Sequence, residues 1–256
     1  MVKRRSSAES PPNRPPSATK IANALLAVLP VDEYNRIVPA LEVVPLKLKH
    51  VLQKPGEEIR YVYYPGGGFC SILTVLEDGG MVEVATIGRE GVVGVSAAWD
   101  DGAVPSLAMV QAETDTCYRM TVQAFRREMD RRGAFYEVHG RYAQALVGFI
   151  MQSTACNVAH SVEQRLARWL LLAQDRISKD EFPLTQEFVA MMLGASRPTV
   201  TLVAGTLQKA GLIKYRRGHV TIVDRESLEA ASCECYGAAT RLLQRVTDGW
   251  RSPGAR

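Results

Sequence analysis

Apolar residues change their spacing twice along this chain. Between Leu46 and about Met120 they come in short β-prone runs: RYVYY (60–64), FCSILTVL (69–76), MVEVATI (81–87) and LAMVQA (107–112). Pro55-Gly56, Pro65-Gly66-Gly67-Gly68, Asp78-Gly79-Gly80 and Gly88 break them, and Asp78-Gly79 between two runs is a hairpin signal. The regular spacing predicts a small antiparallel β-barrel or jelly roll, which can hold a small ligand or only its own side chains. From Thr121 the period becomes helical. TVQAFRREMDRR carries Val122, Phe125 and Met129 behind a threonine cap, and after Gly133 a long helix runs through FYEVHGRYAQALVGFIMQSTACNVA. Ala143, Leu146, Val147, Ile150, Met151 and Thr154 recur at the spacing of a helix–helix seam, and Ala143, Ala145, Gly148 and Ala155 permit close approach. Homodimerisation through that seam is the preferred expectation; packing against its own barrel is the alternative. A third helix, SVEQRLARWLLLAQDRI, would bury Leu166, Trp169, Leu170 and Ala173.

The most informative stretch is LTQEFVAMMLGASRPTVTLVAGTLQKAGLI (184–213), which reads as two short helices joined by a tight turn. Thr185 caps the first, with Phe188, Val189, Met192 and Leu193 inward. Gly194 supplies the left-handed turn residue, Ser196 caps the second helix, and Pro198 suits its first turn, where no backbone hydrogen bond is lost. Val200, Val203 and Leu207 share an inner face, so Arg197, Thr199, Thr201 and Lys209 project elsewhere. That is the layout of a helix-turn-helix with a polar-tipped recognition helix. An ordinary helical hairpin has the same pattern, but GLIKYRRGHVTIVD (211–224) narrows the choice. It predicts a basic hairpin around Arg216-Arg217-Gly218-His219, a wing suited to phosphate contact.

Composition adds little to the nucleic-acid argument. The net charge of +4 resides in residues 1–20, where Lys3, Arg4, Arg5, Arg14 and Lys20 face one acid, Glu9; the remainder is balanced at 26 basic and 26 acidic residues. That proline-rich stretch reads as a disordered tail. Neither a signal-peptide core nor an apolar run of spanning length occurs, so a cytoplasmic chain without a membrane partner is expected. Of the histidines (His50, His139, His160 and His219) only His50 lies near the strands, and no serine sits in a nucleophile-elbow sequence. An enzyme is therefore not expected. The five cysteines are too scattered for a disulfide scaffold. Cys233 and Cys235 form a C-x-C pair, with no second pair or nearby histidine to complete a zinc site. No metal site and no cofactor are expected; redox sensing by the pair is the alternative to unreactive thiols.

The order of these parts resembles the bacterial Crp/Fnr superfamily of transcription regulators. The matching stretches are VEQRLARWLL (162–171), residues 184–213 and YRRGHVTIVDRESLE (215–229), with PGEEI (55–59) and VEVATIGREGVVG (82–94) similar to the family's barrel strands. The resemblance implies a homodimer on palindromic double-stranded DNA, an effector-sensing barrel, relay through the central helices, and RNA polymerase as a partner. It puts Arg197 at the position that reads a guanine, Thr185 and Gln186 at phosphate, and Ser196, Thr199 and Thr201 beside the bases, though Thr199 serves capping equally well. Arg216, Arg217 and His219 would position the wing on phosphates. Pro198 stands where many members have a base-reading glutamate, and Leu202 where cyclic-AMP-type regulators have a second arginine, so a different DNA sequence is expected. In GREGVVGVSAAWDDGAVPSLAMVQA (88–112), Gly94 precedes Val95 and no arginine lies between Arg89 and Arg119. A nucleotide phosphate would lack its partner, so tight cyclic-AMP binding is not expected. Arg89, Glu90 and Gly94 remain as effector candidates for an unnamed small molecule. The first cysteine is Cys70, so an N-terminal iron–sulfur cluster of the family's oxygen-sensing type is missing.

The expected fold is therefore α+β: a disordered tail (1–20), an effector-sensing barrel with flanking helices (21–132), a dimerisation helix (133–160), a winged helix-turn-helix (161–236) and a C-terminal tail (237–256). The leading expectation is a sequence-specific DNA-binding regulator. The alternatives are a constitutive binder with a structural barrel, and a redox- or ligand-sensing protein whose winged helix docks to protein.

Overall fold

The computed structural model describes residues 21–99 and 104–248. The stretch read as an N-terminal tail lies outside them. Two short helices, α1 (Ala24–Ala27) and α2 (Val31–Ile37), precede seven strands: β1 (Glu42–Leu46), β2 (Val51–Gln53), β3 (Tyr61–Pro65), β4 (Phe69–Val75), β5 (Met81–Ile87), β6 (Ser106–Ala112) and β7 (Thr114–Thr121). They form two antiparallel sheets, β1-β7-β3 and β2-β6-β4-β5. The sheets do not close into one barrel, and the jelly-roll arrangement is the one that these strands fit. Leu46, Tyr63, Cys70, Ile87, Val93, Val110 and Cys117 make one buried cluster contributed by both sheets. The sequence pattern located β3 to β6. It missed β1, which is interrupted by Pro45, the three-residue β2, and β7, where threonines and an aspartate dilute the apolar signal.

Helix α3 (Val122–Asp130) follows, its first turn capped by the Thr121 hydroxyl. Helix α4 (Ala134–Ala159) starts under a cap from α2, where the Glu33 carboxylate accepts from the amides of Ala134 (3.0 Å) and Phe135 (2.8 Å). That carboxylate satisfies two otherwise unpaired donors and suits the positive end of the helix dipole. Phe135, Val138, Tyr142, Ala145 and Phe149 turn inward. The buried His139 lies between the Phe135 carbonyl (2.7 Å) and the Tyr64 hydroxyl (2.8 Å), and burial lowers its pKa to about 4, so the ring is neutral.

The last third holds α5 (Val162–Ile177), β8 (Glu181–Pro183), α6 (Gln186–Leu193), α7 (Arg197–Lys209), β9 (Ile213–Arg216), β10 (His219–Ile222), α8 (Arg225–Ala231) and α9 (Cys235–Thr247). The chain beyond 237 was expected to be a tail. Instead, α9 continues to Thr247 and packs along α4, burying Ala239, Leu243 and Val246 and setting Leu242 against Gly148. The spacing i, i+4, i+7 of those three residues carried that signal. Helix α5 starts at a Ser161–Gln164 capping box and buries Leu166, Trp169, Leu170 and Ala173 as expected. It also buries Arg165, Ala167, Arg168, Leu171 and Arg176, because α6, α7, α8, α9 and strand β4 all pack against it. Trp169 stacks edge-on against Phe69 of β4, and Arg176 pairs with Glu90 at 2.8 Å. Among the described residues, no single helix is long and apolar enough to cross a membrane.

Candidate nucleic-acid interface

Thr185 caps α6 through its hydroxyl, which accepts from the Phe188 amide, and Gly194 ends that helix in the left-handed conformation at φ 56°. The chain bends by 104° between α6 and α7, within the usual range for a helix-turn-helix. Ser196 caps α7 by accepting from the Thr199 amide at 3.3 Å, and its hydroxyl also meets that of Thr199 at 2.8 Å. Val200, Ala204 and Leu207 are the buried stripe of α7; Val203, expected inward, is only half-buried on its flank. Opposite that stripe, Arg197, Pro198, Thr201 and Leu202 are exposed, Leu202 by 73%.

The wing has a two-residue turn in which Arg217 (φ 50°) and Gly218 (φ 78°) both take positive φ, with Arg216 paired to His219. This is the turn geometry that matches the twist of a tight hairpin. A third strand, β8, completes the order β8-β10-β9; its short EFP sequence gave no strand signal. Arg216, Arg217 and His219 are exposed at the tip. The Gly218 carbonyl accepts from the Leu184 amide, so the wing tip lies beside the start of α6. From there, Thr201 donates to the Gln186 side chain at 2.7 Å, and Arg197 pairs with Glu187 at 2.9 Å. One continuous surface thus runs from the wing through the N-terminus of α6 to the N-terminus of α7. Glu187 is the member that the sequence pattern did not single out. Its place three residues before Ala190, on the outer face of α6, was legible, but its pairing with Arg197 was not.

Residues 164–231, which contain this whole surface, match the family model of the Crp-like helix-turn-helix domain. The chain has the Crp/Fnr fold with a Crp-like helix-turn-helix domain. A crp/fnr-family chain from Eubacterium rectale ATCC 33656 superposes with a TM-score of 0.65 at 18% identity, covering 83% of this chain and 99% of its own. FixK2 from Bradyrhizobium japonicum gives 0.64 at 14%, covering 75% and 98%. TTHB099, a CRP-family transcriptional regulator from Thermus thermophilus, gives 0.61 at 19%, covering 73% and 95%. Comparison with curated protein sequences gives no match.

Within this Crp/Fnr fold, two of the three effector candidates, Arg89 and Glu90, border one cleft, and Gly94 lies apart from it. Glu90 is engaged internally, by Arg176 of α5 and by the Gly88 amide at 3.0 Å. Arg89 is exposed and lines, with Glu90, Asp175, Arg225 and Tyr236, a cleft of about 470 Å³ outside the sheets. Gly94 is at φ 90° against Ile59 and Val62, away from that cleft. The seam between the jelly roll and the helix-turn-helix domain carries a further polar contact, in which Trp169 Nε1 donates to Glu83 (2.8 Å) and Ser71 donates to the other carboxylate oxygen. Burial raises the Glu83 pKa to about 7, against the opposing pull of those two hydrogen bonds and of Arg168 and Arg176.

The expectation that nothing completes the Cys233–Cys235 pair is corrected. Cys156 and His160, at the end of α4, come within 4.8 Å of both cysteines. They stand four residues apart, so C-x3-H followed by C-x-C was present in the sequence, with the whole helix-turn-helix domain between its halves. Burial pushes the Cys156 thiol up to about 12 and raises that of Cys233, which counts against a reactive thiolate.

Proposed function

We propose that this chain is a homodimeric, sequence-specific DNA-binding transcription regulator, acting without catalysis in the cytoplasm, with RNA polymerase as a downstream partner. The single observation that carries the reading is the continuous surface joining exposed Arg197 and Thr201 of α7 to the cap Thr185 and half-buried Gln186 at the start of α6 and to Arg216, Arg217 and His219 of the wing. Arg197 presents a planar fork that matches the two acceptors on a guanine edge in the major groove. Pro198, Thr199 and Leu202 offer methyl and ring contacts next to it, and Ser196 holds the helix start. The amides at the α6 N-terminus and the wing arginines suit phosphates on either side.

Support for a homodimer comes from α4. Between Arg141 and His160 it has no charged residue, and Val147, Met151 and Val158 are exposed by 56, 68 and 87%. With Ala143, Ile150 and Thr154 they recur mostly three or four residues apart along α4, the pattern of a helix pair, whereas Leu146, expected in the same seam, packs against the protomer's own core. An apolar stripe of this length in water favours cover by a second copy.

The effector reading is that the jelly roll answers to a small molecule other than cyclic AMP, since Glu90 is spent on Arg176 and no arginine replaces the phosphate partner. The packed cluster of Tyr63, Cys70, Ile87 and Val110 favours a second reading, a regulator that binds DNA constitutively. Selection from a random duplex pool by the purified full-length chain, with nothing added, tests both. A two-fold symmetric consensus with half-sites about one helical turn apart supports the constitutive dimer. Enrichment only after addition of a cell extract's small-molecule fraction supports effector dependence, and no enrichment under either condition overturns the DNA reading.

A further inference from the structure

We infer that Cys156, His160, Cys233 and Cys235 form a four-ligand site for one thiophilic divalent cation of the zinc class, a staple at the base of the DNA-binding domain. The Sγ atoms of Cys156 and Cys233 lie 3.5 Å apart, and Cys235 Sγ lies 3.6 Å from His160 Nδ1. A tetrahedral zinc ion with bonds of about 2.3 Å to sulfur and about 2.0 Å to nitrogen requires separations of roughly 3.8 Å between sulfurs and roughly 3.6 Å between sulfur and nitrogen. No two of the four ligand atoms lie beyond 4.8 Å. The set is already gathered at nearly the spacing that one ion imposes.

Three surrounding features point the same way. The Nε2 of His160 meets the Glu234 carboxylate at 3.1 Å, which fixes the tautomer that leaves the Nδ1 lone pair free toward the cysteines. Gln152 donates to Cys235 Sγ at 3.0 Å and orients that ligand. Arg165 and Arg168 are both buried beside the cysteines, and the Nε of each has no hydrogen-bond partner. Binding would release three thiol protons to solvent as three metal–sulfur bonds form, with no electron transferred. Three thiolates and a neutral imidazole around a divalent ion carry a net charge of −1, which the two arginines would offset. Four protein ligands leave no open coordination position, so the site is structural and not catalytic.

Its position gives it a consequence. Cys156 and His160 close α4, while Cys233 and Cys235 flank the α8–α9 junction, so the two halves bracket residues 161–232. A bound ion would tie both ends of the DNA-binding domain to the long helix and limit how that domain rotates on it. The inference rests on ligand geometry and holds whether or not the domain binds DNA.

The test is metal analysis of the full-length chain, purified under reducing conditions without chelator, followed by cobalt(II) titration of the stripped protein. The expected result is one zinc per chain, and thiolate-to-cobalt charge-transfer absorption that saturates at one equivalent. Cys156→Ser and Cys233→Ser should each lose that band, whereas His160→Cys, which supplies a fourth thiolate, should keep one equivalent with a shifted spectrum. Glu234→Gln should weaken cobalt binding by roughly 10–100-fold with the band shape retained. Less than a tenth of an equivalent of metal, together with no charge-transfer band from reduced wild-type protein, would overturn the inference. So would a Cys156–Cys233 disulfide in a chain that, once reduced, binds no cobalt.

Discussion

The outer surface of the helix-turn-helix and wing and the seam beneath it are built from the same residue types and obey opposite rules. On the outer surface, Arg197, Arg216, Arg217 and Thr201 point into solvent, and their internal contacts are with side chains near in sequence, such as Arg197 with Glu187 and Thr201 with Gln186. In the seam, Arg165, Arg168 and Arg176 are buried, and Arg176 and Trp169 reach partners 86 residues away, Glu90 and Glu83. An exposed ion pair is worth at most about 1 kcal/mol, so a ligand can displace it; a buried charge deprived of its partner costs several times more. The outer surface is thus arranged to exchange its contacts, and the seam to keep them. That difference also decided what could be read from the sequence.

The strongest way to break the comparison is to attack the stripe that would join two outer surfaces. Val147→Glu combined with Met151→Glu puts two charges on exposed positions of α4, so each protomer should keep its fold while the pair separates. Sedimentation equilibrium should show a monomer, and affinity for a symmetric site should fall by about 100-fold or more as the second half-site contact becomes bimolecular. An unchanged dimer would move the interface elsewhere.

Next in size is Arg197→Ala. The Glu187 contact is exposed on both sides, so its loss should leave the melting temperature nearly unchanged. Discrimination at one base position per half-site should drop by about 1–3 kcal/mol, measured by competition with singly substituted duplexes. A uniform loss at all positions would make Arg197 a phosphate contact. Glu187→Gln sharpens the point, since releasing Arg197 beforehand should tighten specific binding by a few-fold.

The seam should respond to pH where the outer surface does not. Glu83 has an ordinary carboxyl pKa of 4.5 and is raised to about 7 in the fold, so the folded chain holds its proton through the intervening range. Its contribution to stability is therefore fully present below about 4.5 and is lost as pH rises through about 7, on the order of 2 kcal/mol for a partly shielded carboxyl. Glu83→Gln keeps an acceptor for Trp169 and removes the titration, so denaturant midpoints between pH 5 and 8 should flatten. A variant with the wild-type pH slope would assign the titration to another group.

How much was legible follows from distance along the chain. The caps Thr121, Thr185 and Ser196, the turn at Gly194 and the wing at Arg217-Gly218 are local features, and each is where the sequence pattern put it. Strands β1 and β7 were missed because their partners, not their own composition, make them strands. Helix α5 looked amphipathic because only one of the two bodies that bury it could be foreseen. The cysteine–histidine set was missed for the same reason. Its two halves are separated by the domain that they bracket, and the spacing rule applied to it was a local one.

The smallest expected effect probes the wing, where the outer surface is closest to pure electrostatics. Arg216→Ala with Arg217→Ala removes two exposed cations that form no ion pair among the described residues. Arg217 adopts positive φ, but arginine and alanine carry the same Cβ there, so the exchange leaves the backbone cost of the turn essentially unchanged. If both arginines sit on phosphates, each releases about one counterion on binding, and the slope of log affinity against log salt should flatten by about 2. The loss should be alike for all duplex sequences and should shrink as salt rises, because the interaction removed is the one that salt already screens. A loss confined to one base position, undiminished at high salt, would instead make the wing a reader of sequence, and the division between a base-reading helix and a phosphate-holding hairpin would fail.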